Sequence, residues 1–102
     1  MHDKRGIAII KQQRRQLLTN LDLFYPTPVN LDCLYRTVIN IDPTYEKVLF
    51  RKDIHYFKDK GYIEFVDDKL GGMDSFDKKV AKLTAVGKEV AEGTQNNPAL
   101  EI

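Results

Sequence analysis

The chain has 102 residues, of which 42% are hydrophobic and 30% charged, with a formal net charge of +1. That length holds one domain around a single core, and the composition excludes a disordered tail. No apolar run reaches the roughly 20 residues that cross a bilayer and no signal-peptide pattern opens the chain, so a cytoplasmic protein with no membrane contact is expected.

The first segment, Asp3 to Phe24, places Ile7, Ile10, Leu17, Leu21 and Phe24 along one helical stripe, interrupted by Gln13 and Arg14. Its second half is expected to pack into the domain. Ile7, Ile9 and Ile10 extend beyond it as an apolar arm, and a second copy of the chain is the expected cover, giving a homodimer. Pro26 and Pro28 end this helix. Asn30 then caps a second helix, with Asp32 in its first turn and Leu31, Leu34, Val38 and Ile41 on one apolar face. Cys33, the only cysteine, precludes an intramolecular disulfide and is expected as a small buried apolar residue.

Within "NIDP", Asn40 suits a left-handed terminus and Asp42 with Pro43 suits the start of a third helix, expected from Pro43 to Lys60. At about 100° per residue, Phe50, Ile54 and Phe57 form its inner face. Tyr45, Val48, Lys52 and His55 fall on the opposite side, with Arg51 beside them. Gly61 supplies the freedom for a C-terminal cap. "YIEFV" and "KKVAKL" read as paired strands around a long loop, "DDKLGGMDSFD", whose Gly71 and Gly72 mark a turn. Ile63, Phe65, Val80 and Leu83 are expected to form the sheet's core face. Thr84 caps a last helix, Ala85 to Glu92, which Gly93 ends. Residues 1–16 are thus an arm continuous with the first helix, 17–93 the domain, and 94–102 a loosely ordered tail.

Helix, helix, short turn, helix, hairpin, helix is the α+β layout of a winged helix-turn-helix: a three-helix core, a two-stranded β-hairpin wing and a short C-terminal helix. The run "FRKDIHYFKDKGYIEF" resembles the recognition helix and first wing strand of winged-helix regulators, through Phe50, Ile54, Tyr56, Phe57, Lys60, Gly61 and Ile63. "KLTAVGKEVAEG" is similar to the segment after the wing in many of the same proteins, with Leu83, Thr84 and Gly87 in the matching places. Size and pattern also resemble the small winged-helix proteins of Mu-like phages and prophages, grouped with ArsR-type regulators. The metal-sensing cysteines of ArsR sensors are absent, so their metal response is not carried over. The resemblance implies a transcription regulator or a phage accessory DNA-binding protein, its third helix in the major groove of double-stranded DNA.

The expected DNA contacts are Tyr45, Lys47, Val48, Arg51, Lys52, His55 and Lys58, with Lys69 from the wing; Ile7, Ile9 and Ile10 are the expected dimer contacts. Five basic residues against three acidic ones between Tyr45 and Lys60, and five against one between Asp3 and Arg15, favour an anionic partner. Four acidic and three basic residues between Asp67 and Lys79 make the wing a poor phosphate grip. The acidic wing, the near-neutral charge and the apolar arm fit an alternative: a winged-helix protein-interaction module, docking on a phage or host protein. His2 and His55 are far apart and form no metal cluster, so neither metal nor cofactor is expected. The charged residues read as solvent-facing rather than convergent, and an enzyme is not expected.

Overall fold

Three short helices cannot bury much on their own, and the chain closes its core with a small sheet. The computed structural model describes residues 4–66 and 78–93. Among these the protein is α+β, in the order α1 (Ile7–Phe24), β1 (Val29–Asn30), α2 (Leu31–Ile41), α3 (Lys47–Asp59), β2 (Ile63–Val66), β3 (Val80–Leu83) and α4 (Ala85–Glu92). Leu17, Leu18 and Leu21 of α1, Leu31, Leu34 and Val38 of α2, and Phe50, Ile54 and Phe57 of α3 share one core with Ile63, Ala81, Leu83 and Val90. Each large side chain removed from water there contributes roughly 1.5–3 kcal/mol. No helix among the described residues is long and apolar enough to cross a membrane.

The sheet is antiparallel in the order β1-β3-β2. Ile63 pairs with Leu83 and Phe65 with Ala81, so these four share one face of the ladder. Ala81 therefore takes the place expected for Val80, which lies three residues from Leu83 and so on the opposite face. β1 is an unexpected third strand: Val29 pairs with Ala81 and Asn30 with Val80. Two residues are too few to show a period, and the prolines before them read only as a helix stop.

The caps follow the side-chain chemistry closely. Asn30 Oδ1 accepts from the amides of Asp32 and Cys33 at 2.9 and 3.1 Å. Thr84 Oγ1 accepts from the Gly87 amide at 3.0 Å while its hydroxyl donates to the Gly61 carbonyl at 2.6 Å, tying the start of α4 to the end of α3. Gly61 has φ +79°, and beyond it the Tyr62 amide reaches back to Phe57 O at 2.9 Å and the Gly61 amide to Lys58 O at 3.0 Å. This double closure is a Schellman motif, with the Tyr62 and Phe57 rings 6.1 Å apart across it.

Four local expectations are overturned. α3 begins at Lys47 instead of Pro43, because Asp42 caps a turn: its Oδ1 accepts from the Thr44 amide and hydroxyl at 3.1 and 2.5 Å, and the Tyr45 amide bonds Asp42 O at 3.1 Å. Asn40 is an ordinary helical residue of α2, as no described non-glycine residue has positive φ. Cys33 is exposed, since it lies about 200° around the helix from Leu31 and away from the buried stripe. Ile41, at the end of that stripe, is 59% exposed. The "DDKLGGMDSFD" loop with Gly71 and Gly72, and the tail from residue 94, lie outside the described residues.

Candidate functional site

α3 has two faces of different chemistry. Leu49, Phe50, Ile54 and Phe57 point into the core, and the helical period then turns Val48, Arg51, Lys52, His55 and Lys58 outward. Val48 is 62% exposed; Arg51, His55 and Lys58 are exposed and Lys52 half-buried. Lys47 is half-buried beside α2, its ammonium 5.8 Å from the centre of the Tyr35 ring. The outer face is thus a stripe of one apolar, three cationic and one histidine side chain, with the exposed Asp59 carboxylate on the same face at its C-terminal end.

Tyr45 does not belong to that stripe. It is 1% exposed, packs edge-on against Phe50 at 6.0 Å, and donates its hydroxyl to Asp53 Oδ2. Burial, reinforced by the Asp53 charge, raises the phenol pKa far above its ordinary range. The expected DNA contact at Tyr45 is corrected accordingly: the turn made by Asp42 and Thr44 directs the ring inward before α3 begins. Lys69 lies outside the described residues.

Asp53 is the unexpected centre of this region. It occupies the inner side of α3 with no exposed surface. Arg5 donates to both of its oxygens, from Nη1 at 2.8 Å and Nη2 at 2.9 Å, and Arg14 Nε donates to Oδ1 at 2.9 Å. The Arg14 guanidinium also lies 3.9 Å over the Tyr56 ring, which makes Tyr56 a packing aromatic. Arg5 Nη1 further donates to Gln13 Oε1 at 3.0 Å, and Gln13 Nε2 donates to Asp42 Oδ2 at 2.9 Å. Bonds from Thr44 and Gln13 hold the Asp42 carboxyl below its ordinary pKa of 3.8. One polar chain therefore links the arm, α1, the α2–α3 turn and α3. Among the described residues no buried side-chain nitrogen or oxygen lacks a hydrogen-bond partner.

This changes the charge reading. The expectation that the charged residues are solvent-facing fails for Arg5, Arg14 and Asp53, whose side chains are 5%, 12% and 0% exposed. Arg15 turns to the last turn of α4, where Nη1 is 3.4 Å from the carbonyls of Val90 and Ala91. Lys4 pairs with Glu46 at 2.6 Å on the surface, an arrangement of little energetic weight. The basic arm thus spends much of its charge inside the protein, and a partner would meet mainly the outer face of α3. The signal available in the sequence was the pair Gln13 and Arg14, two polar residues breaking an apolar stripe.

The arm's apolar residues do stand out: Ile7 is 69% and Ile9 45% exposed, while Ile10 is half-buried. Beside α1 an open groove of about 400 Å³ is lined by Gln12, Arg15, Gln16, Thr19, Asn20, Leu23 and Ile41. Among the described residues no group of three or more His, Cys, Asp or Glu could hold a metal ion. Comparison with protein-family models, with curated proteins and with solved structures finds no match to this chain.

Proposed function

We propose that this protein is a winged-helix DNA-binding protein, a transcription regulator or phage-encoded accessory factor, that reads the major groove of double-stranded DNA with the outer face of α3. It acts in the cytoplasm as a homodimer and needs no cofactor. The observation that carries the reading is the stripe of Val48, Arg51, Lys52, His55 and Lys58, with Asp59 as its one acidic member, on a helix whose other side is anchored in the core. α2, the turn and α3 supply the helix-turn-helix, and β2 with β3 supplies the wing's paired base.

The direct test is fluorescence anisotropy with mixed-sequence duplexes. With about four phosphates neutralised per subunit and two subunits on the duplex, log affinity should fall with log salt at a slope of about −7. Reversing charge in an Arg51→Glu, Lys52→Glu double variant should abolish binding while leaving the unfolding temperature near that of the parent, because both side chains face away from Phe50, Ile54 and Phe57. Unchanged affinity in a folded double variant would refute the reading.

A second reading, docking on another protein without DNA, is favoured by the groove beside α1, where Leu23 is 77% and Ile41 59% exposed. No duplex retention at low salt would select it.

A further inference from the structure

α3 shows solvent one large exposed apolar side chain, Val48, in its first turn. Arg51 and Lys52 stand three and four residues further on, the spacings that make side chains neighbours on a helix surface. A lone exposed valine is ordinary on most protein surfaces. The position of this one is less so, since it heads a largely cationic stripe at the end of the helix that a duplex reader brings nearest to the bases. Folding does not account for it: 62% exposed, it adds little to the core, and its β-branch lowers helix propensity relative to Glu, Gln or Lys.

A major groove supplies the missing counterpart. Among the groups displayed there, the thymine 5-methyl is the apolar one, whereas the remaining edge atoms are donors and acceptors that suit charged or amide side chains. We propose that Val48 is a specificity-determining residue that packs on a thymine methyl, so that the preferred duplex carries a T·A pair at the level of the first turn of α3. The inference rests on the reading of α3 as the DNA-contacting helix and deepens it by naming a feature of the site. Phosphate contacts from the cationic side chains fix where the helix sits, and the valine adds sequence preference without adding charge.

The experiment selects duplexes from a random pool with the full chain, then measures affinity for the best duplex with each thymine replaced in turn by deoxyuridine. That replacement removes the methyl group and leaves every hydrogen-bonding atom of the base in place. At one or two positions the parent protein should lose about fourfold in affinity, the worth of burying one methyl group. Val48→Ala should bind thymine and uracil equally at those positions, with an unchanged salt slope and a melting temperature no lower than the parent's, because the side chain lies outside the core and alanine favours the helix. If the selection yields no preferred sequence, pools built with thymine or with uracil throughout are compared instead. Retained duplex binding with no thymine preference, or a preference that survives in Val48→Ala, overturns the inference and leaves the DNA-binding reading standing. Absence of duplex binding at low salt overturns both.

Discussion

Arg14 and Asp53 meet with Nε and Oδ1 2.9 Å apart, joining the middle of α1 to the buried side of α3. Arg5 approaches the same carboxylate from the chain before α1, and Tyr45 from the turn before α3. Removing one partner of a buried ion pair leaves the rest desolvated and unsatisfied, which costs about 3–5 kcal/mol. Asp53→Ala should lose that much in urea unfolding, since two guanidinium groups and a phenol would lose their acceptor. A loss below about 1 kcal/mol would show that the cluster is solvated and loosely held.

The turn at Asp42 carries a pH dependence of definite sign. Its carboxyl pKa is lowered in the folded protein, first by the Thr44 hydroxyl and then by Gln13. A depressed folded value contributes stability that is fully present above the ordinary value of 3.8 and is lost as pH falls through the folded value. Stability measured between neutral pH and acid should therefore drop less steeply below about pH 4 in Asp42→Asn than in the parent. Parallel curves for the two proteins would remove Asp42 from the account.

Gly87 is required by closeness of backbone. A Cβ at this position would lie 1.9 Å from the carbonyl oxygen of Tyr62, which itself accepts from the Thr84 amide at 2.9 Å and cannot move away without breaking that bond. Gly87→Ala should destabilise by about 1–3 kcal/mol, despite alanine's better helix propensity, and lower the thermal midpoint by several degrees. A gain in stability would mean that α4 shifts freely against the end of α3.

The apolar arm should support self-association. Replacing both Ile7 and Ile9 with serine should move sedimentation from dimer towards monomer, leaving the unfolding transition in place because both side chains are exposed. Deleting the first ten residues is a poorer test, as it also removes Arg5 from Asp53. An unchanged mass in the double variant would reject the arm as the interface.

Most of the caps were legible, although Asn40 and Asp42 took other roles. Asn30, Thr84, Gly61 and Gly93 stand at the caps their chemistry suggested, and the inner face of α3 followed from the period of Phe50, Ile54 and Phe57. What escaped was long-range. Asp53 looked like one more surface carboxylate because its partners Arg5 and Arg14 are 48 and 39 residues away. Tyr45 extended the outer stripe only under a helix beginning at Pro43, and the Asx-type turn at Asp42 delays the start of that helix to Lys47, beyond Tyr45. Val48, Arg51, Lys52, His55 and Lys58 kept their expected outward side because they lie within α3 itself.

The contact between Lys4 and Glu46 has a practical corollary for anyone handling this protein. Glu46 immediately precedes α3, so this ion pair brings the Lys4 ammonium to the start of that helix. A dye coupled to that amine would cancel the charge and leave the Glu46 carboxylate without its counter-ion at the same end of α3, so amine-reactive labels are the wrong choice for a measurement of duplex affinity.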